Sequence, residues 1–176
     1  MLALSYDSAL RREELCSLKT DDIDPAHRLL QIRAETTKNR QSRVVPYSEP
    51  SSDLLGAYLP QRRELTRGRG RLFISESCRN LGRPISIWTW SKVVRALASR
   101  SDIPQFSTHT PRHLRLTDLA RSDWDIHEIA TFAGHRSIQS TLLYIHLNGR
   151  ELTQKIARGM AEIHAWRIKM LEGLLK

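Results

Sequence analysis

Along most of this chain apolar residues recur at helical spacing, and alternation of apolar with polar residues is confined to short stretches. Ile87, Trp90, Val94 and Leu97 form one stripe, with Lys92 and Arg95 on other faces, so a helix starts near Ile87. Further helices are predicted over 111–120, Ile126–Ala133 and 137–145. Residues 2–18 also read as helical, with a new turn or helix at Arg11-Arg12-Glu13-Glu14-Leu15. A polar loop follows at Thr20-Asp21-Asp22-Ile23-Asp24-Pro25. Leu29–Ile32 and 43–45 read as strands flanking the basic turn Thr36-Thr37-Lys38-Asn39-Arg40. Ser51 or Ser52 caps a helix running to about Leu65. Arg67-Gly68-Arg69-Gly70-Arg71 then interrupts the pattern before strand-like Leu72-Phe73-Ile74. Trp88 and Trp90 read as core in preference to base-stacking residues. The fold class is therefore mainly α with a small antiparallel β-sheet, an α+β arrangement.

The last stretch carries a longer pattern. Leu152, Ile156, Met160, Ile163, Trp166, Met170 and Leu174 make an amphipathic helical stripe. Such a face is buried against its own domain or against a neighbouring subunit, since exchanging a terminal element is an easy route to assembly. Periodicity does not choose between them. The division expected is a catalytic domain over 1–150 and a helical tail over 151–176.

Composition sharpens this picture chiefly through charge. Lys plus Arg is 28 against 19 Asp plus Glu, a formal net of +9, in a chain of 176 residues. That balance favours polyanions, and guanidinium forks suit phosphate oxygens. Hydrophobic residues make up 40 %, enough for a packed core. No apolar run approaches the roughly 20 residues of a membrane span. The N-terminus lacks the basic start and cleavage site of a signal peptide, so a cytoplasmic protein is expected. Cys16 and Cys78 are expected as free buried thiols, with neither a disulfide framework nor a zinc site.

Two segments concentrate chemistry. In His109-Thr110-Pro111-Arg112-His113, Thr110 suits an N-cap and Pro111 the first helical position, which places Arg112 in the first turn. Free backbone N–H groups there favour an anion, and one arginine with two histidines strengthens that preference. The zinc-protease pattern needs Glu after the first His, where this chain has Thr110, so no metal is expected. In Ala133-Gly134-His135-Arg136-Ser137, Gly134 ends one helix in a left-handed turn and Ser137 caps the next. His135 is left on the corner between them. Tyr144 lies nine positions on, about 120° off the stripe of Ile138, Leu142 and Ile145, where a core tyrosine would not sit.

Arg11 with Glu14-Leu15, a lysine in a strand turn, His-x-x-Arg-His, Gly-His, then Tyr nine later: in this order the pattern resembles the tyrosine recombinases, the phage-integrase family, over nearly the whole chain. The resemblance implies a catalytic domain that cuts and rejoins DNA. It implies that Arg11 and Arg112 grip the non-bridging oxygens of the scissile phosphate, that His135 hydrogen-bonds one of them, and that His109 assists proton movement. It also implies that Lys38 protonates the departing 5′ oxygen and that Tyr144 attacks phosphorus, giving a 3′-phosphotyrosyl link. Glu14 and His113 are expected to support these groups, and Arg40, Arg43, Lys92 and Arg95 to contact DNA. The chemistry is sound: fixed cations stabilise the charge gathering on equatorial oxygens, and a phenol with a pKa near 10 needs such help. No acidic cluster to hold Mg²⁺ is evident, and no cofactor is expected. The family usually has Gly where this chain has Ala9, a small residue expected to do little harm, and often Leu where it has Pro111.

The resemblance further implies double-stranded DNA as partner and a homo-tetramer on paired DNA sites, with a monomer or weak oligomer without DNA. Members usually carry an N-terminal helical core-binding domain that closes around the duplex; no counterpart precedes the first motif here, so weak, salt-dependent binding is expected. Alternative readings are a type IB topoisomerase-like relaxing enzyme and a non-catalytic DNA-binding module.

Overall fold

A computed structural model describes residues 1–37, 40–66, 68–144, 157, 160, 161 and 163–170. The chain divides into two compact units, 1–144 and 145–176. The first unit opens with α1 (Leu2–Asp7) and α2 (Arg12–Ser17) in place of one continuous helix. The interruption has a local cause. Ala9 N–H donates to Tyr6 O and Leu10 N–H to Ser5 O, the paired closure that ends a helix through a left-handed residue. Ala9 supplies it with φ +45° while fully buried. Glycine is the usual residue at such a φ, so the alanine carries strain.

β1 (Ile23–Asp24), β2 (Leu29–Ile32) and β3 (Arg43–Pro46) form an antiparallel sheet in that order. Leu30 pairs with Ile23 on one side and Val45 on the other. Leu30, Ile32 and Val45 are buried while Gln31 and Val44 face outward, the period-2 pattern of a half-covered sheet. The polar loop expected before β2 thus contributes a short strand, after a 3₁₀ turn at Thr20–Asp22.

α3 (Glu49–Leu65) starts at Ser48, three residues ahead of the expected cap; Ser48 Oγ accepts from Ser51 N–H, and Asp7 ties the turn back to α1 by accepting from Ser48 N–H. Residues 72–74 form no strand. Leu72 O is taken by Tyr58 Oη and Arg62 Nε, and Ile74 N–H donates to Tyr58 Oη, so the groups a ladder needs are spent on side chains. Only isolated bridges remain, Lys19 with Arg71 and Ile74 with Pro84.

α4 (Ile87–Arg100) buries Trp90, Val94 and Ala98. Trp88, expected in the core, is 74 % exposed, and Leu97 is exposed as well, because Ala98 rather than Leu97 continues the buried row. α5 (Thr110–Arg121), α6 (Ile126–Ala133) and the short α7 (Gln139–Leu142) complete the unit. α6 is short yet buries Ile129, Ala130, Phe132 and Ala133. Cys16 is buried and its thiol pushed up to about 11, burial being the main cause; Cys78 is exposed rather than buried.

In the second unit residues 157, 160, 161 and 163–170 are helical. Ile163, Trp166 and Met170 of the expected stripe are exposed and Met160 is half-buried, whereas Leu152, Ile156 and Leu174 lie outside the described residues. No helix among the described residues is long and apolar enough to cross a membrane.

Candidate active site

The site is built where two left-handed turns face the start of α2. α6 closes as α1 does: Gly134 N–H donates to Thr131 O and His135 N–H to Ala130 O, with Gly134 at φ +63°. Both turns aim carbonyls at arginines. Arg112 Nη1 donates to Ala9 O at 2.6 Å, and its Nη2 to Ala133 O at 2.8 Å. Arg11 Nη2 donates to Gly134 O at 3.0 Å. Of Arg11, His109, Arg112 and His135, all expected to meet, Arg11, Arg112 and His135 come together on one stretch of backbone.

Arg112 is buried in the first turn of α5. That helix begins one residue earlier than expected: His109 takes the cap position, and Thr110 Oγ1 accepts from Ser107 N–H. Burial, then the charge of Arg11, draw the Arg112 guanidinium down to about 10, partly offset by Glu14. A base that strong stays charged at neutral pH, its depression coming chiefly from burial.

Glu14 is the carboxylate present. It is 1 % exposed, accepts from Arg11 N–H and Arg11 Nη1 at 2.9 Å each, and forms a bidentate pair with Arg43 at 2.9 and 2.8 Å. Burial raises its pKa, but the hydrogen bonds and charge of Arg43, then Arg11, outweigh that and hold it below the usual carboxylate value. Arg43, expected as a DNA contact, is thus spent inside: its Nε also donates to Phe132 O at 3.1 Å, and its side chain is 10 % exposed. A phosphate has little of it left to touch. Arg40, Lys92 and Arg95 are exposed.

His135 is clamped on both ring nitrogens. Arg112 Nη2 lies 2.9 Å from Nε2, and an arginine only donates, so Nε2 accepts and Nδ1 carries the hydrogen. Nδ1–H donates to Thr141 Oγ1 at 2.8 Å. Burial, then the charges of Arg112, Arg11 and Arg43, lower the imidazole to about 4, so it is neutral at neutral pH. Thr141 is fully buried on α7, whereas Ile138 and Leu142 are exposed. The described part of the apolar stripe that set Tyr144 apart therefore faces outward, Ile145 lying outside the described residues, and α7 packs through Thr141, whose hydroxyl meets His135.

Tyr144 is half-buried beside two imidazoles. Its ring stacks on His135 at 6.1 Å between centroids, 15° from parallel, and tilts against His113 at 5.3 Å. His113, expected to support the arginines and neighbouring groups, lies against the tyrosine, and its pKa is lowered by burial, then by His109 and Arg112. His109 is exposed, and its carbonyl accepts from His113 N–H; its charge lowers the pKa of Glu13 and of His113. Lys38 lies outside the described residues. A depression of about 350 Å³ adjoins His135 and Arg43, bordered by Thr37, Ser42, His127 and Thr131. No group of three or more His, Cys, Asp or Glu gathers among the described residues.

Sequence reasoning missed the role of Arg43, the burial of Thr141 and the four carbonyls of Ala9, Phe132, Ala133 and Gly134. Arg43 carried a weak signal, since position 43 opens a strand whose alternation puts Val45 inside. The carbonyls carried none.

Known proteins resemble this chain over most of its length. The model of the phage integrase family matches residues 1–151. Tyrosine recombinase XerC of Mycobacterium bovis is 31 % identical over 153 residues, covering 84 % of this chain and 48 % of that protein. The crystal structure of XerA recombinase superposes with a TM-score of 0.74 at 27 % identity, covering 89 % of this chain and 56 % of that one. The Tn1549 transposon integrase, solved in complex with a circular intermediate DNA, gives 0.75 at 18 % identity over 89 % and 57 %, a likeness of fold alone. The chain thus spans about half the length of the relatives it matches.

Proposed function

The chain belongs to the phage integrase family, and on that footing we propose that it cleaves and rejoins DNA in site-specific recombination, with Tyr144 as nucleophile. The observation that carries the reading is the convergence of Arg11, Arg112 and His135 on the 133–135 turn with Tyr144 stacked beside it. Three guanidinium groups share one carboxylate there, so the site holds an excess of positive charge that a phosphodiester would neutralise.

The chemistry proceeds from those groups. Arg11 and Arg112 bind the two non-bridging oxygens and stabilise the added charge of the pentacoordinate transition state more than the ground state. The phenolic oxygen of Tyr144 forms a bond to phosphorus as the bond to the 5′ oxygen breaks. Lys38 gives that oxygen its proton, a step typically worth about 10²–10⁴-fold. In this reading His113, against the Tyr144 ring, and His109, exposed and one helical turn before it, relay the phenolic proton outward. Attack of a partner strand's 5′ hydroxyl on the phosphotyrosine reverses the step, and the phosphoester energy is kept throughout.

The partner in this reading is double-stranded DNA in the cytoplasm, and the working assembly a tetramer on paired sites, with 151–176 as the element exchanged between protomers. Lys92, Arg95 and Arg40, all exposed, are the proposed backbone contacts. Incubating the protein in EDTA with a pool of randomised, singly nicked duplexes is expected to give an SDS-stable adduct carrying a 3′-phosphate on Tyr144, absent with Tyr144→Phe. Adducts that persist in Tyr144→Phe, or that map to another residue, overturn the proposal. Binding should fall steeply with salt, and an affinity that barely changes between low and moderate salt counts against it.

A further inference from the structure

A fully buried threonine hydroxyl must find a partner, and that of Thr141 has an unusual one. It meets the Nδ1 of the imidazole whose Nε2 is held by Arg112, at 2.8 and 2.9 Å respectively. Thr141 also carries the carbonyl that accepts from Tyr144 N–H at 3.0 Å, so one residue touches both the histidine and the backbone of the tyrosine. With Arg112 on Nε2, His135 has no proton on the side where the arginines converge, and in that form it cannot donate to a phosphate oxygen.

We infer that Thr141 is a positioning residue that lets His135 move its proton: its hydroxyl accepts from Nδ1–H while Arg112 holds Nε2, and donates to Nδ1 once Nε2–H turns toward a phosphate. A hydroxyl is both donor and acceptor, and no hydrocarbon of the same shape can play either part. The exchange starts when an incoming anion draws Arg112 Nη2 away from His135. One proton leaves Nδ1 and one arrives at Nε2 through water, so the ring stays neutral and no net charge moves. Ring, hydroxyl and tyrosine keep their places while the hydrogen-bond direction reverses. The second half of this relay rests on the recombinase reading of the site; the first half rests on the contacts alone.

The test is ¹⁵N NMR of the full chain labelled at histidine and arginine, titrated with inorganic phosphate. In the free protein His135 is expected as the Nδ1–H tautomer, and saturation with phosphate as the Nε2–H tautomer. Thr141→Ser should reproduce both states. Thr141→Val, with Arg112 still on Nε2, should keep the Nδ1–H tautomer in the free protein but reach the Nε2–H tautomer incompletely at saturating phosphate and bind phosphate roughly two- to tenfold more weakly, the worth of one hydrogen bond, with its melting curve read alongside as a check on folding. A free ring already protonated at Nε2, or a Thr141→Val protein that switches tautomer as fully and binds phosphate as tightly as the parent, overturns the relay. So does a ring that stays Nδ1–H while the Arg11 and Arg112 resonances report phosphate, although the reading of the site then survives. If those resonances ignore phosphate, the site reading falls and takes the relay's second half with it.

Discussion

Gly134→Ala is expected to destabilise the chain by about 2–4 kcal/mol, more than a left-handed turn alone explains. An alanine at φ +63° costs roughly 1–2 kcal/mol against glycine, offset in part by about 0.4–1 kcal/mol because the unfolded chain loses freedom. The larger part lies in the space. An added Cβ would stand 2.8 Å from Arg43 Nη1 and 3.1 Å from its Cδ and Cζ. A free arginine tip would swing aside, but this one is pinned by Phe132 O and by both oxygens of Glu14. Moving it weakens charge-assisted bonds to a buried carboxylate, worth about 1.5–3 kcal/mol each. At about 2–4 °C per kcal/mol for a chain of this size the melting temperature falls by roughly 5–15 °C. Urea denaturation followed by circular dichroism measures the cost in the parent and in Arg43→Ala, closing a double-mutant cycle. With Arg43 gone only the backbone terms should remain, a net of about 0–1.5 kcal/mol. Gly134→Asn tolerates the left-handed turn yet carries the same Cβ, so it should stay destabilised. A cost that is unchanged without Arg43, or an Asn variant as stable as the parent, refutes the reasoning.

Glu14→Gln leaves Arg11 and Arg43 without their buried counter-ion and should cost about 3–5 kcal/mol in the same denaturation assay. Because the Glu14 pKa is depressed in the fold, its contribution is present above the ordinary glutamate value and is lost as pH falls through the folded one, a slope the Gln variant should lack. His135 works on a higher window. Its folded value near 4 lies below the ordinary 6.5, so the unfolded chain takes up protons first and stability declines as pH drops from about 6.5 to 4; His135→Asn should flatten that part of a stability–pH profile. Ala9→Gly should be neutral or stabilising by up to about 1 kcal/mol, relieving the positive φ against a glycine entropy cost of about 0.5–1 kcal/mol. Ala9→Val, branched at the same buried position, should instead lose more than about 2 kcal/mol on thermal denaturation.

What the sequence disclosed were the relations that stay local. The three-residue spacing from Arg11 to Glu14 became a helix start, since a carboxylate at that distance reaches the first backbone N–H. Gly134 was legible as a helix terminator, and His135 followed as the residue left on the corner. Relations between distant segments were not legible. Arg43 and Glu14 are 29 positions apart and meet only because β3 runs beside the ends of α2 and α6, so a basic residue on a strand read as surface charge. The face of α7 was misjudged for a similar reason. Apolar spacing favoured Ile138 and Leu142, but a polar contact from Thr141 to His135 decides which side turns inward. Leu97 went wrong by one helical step, since Ala98 continues the buried row, and Trp88, off that row, faces outward.

Ala9, Phe132, Ala133 and Gly134 hold the three guanidinium groups by carbonyls, which every residue type possesses. No exchange of one amino acid for another deletes such an acceptor. A change of length does, because one residue added or removed between 130 and 135, or between 5 and 10, rotates the carbonyls away from their donors. The site is therefore written in the spacing of the chain as much as in its letters. One residue added or removed in either turn should abolish the site, whereas a substitution that keeps the left-handed residue spares the acceptors.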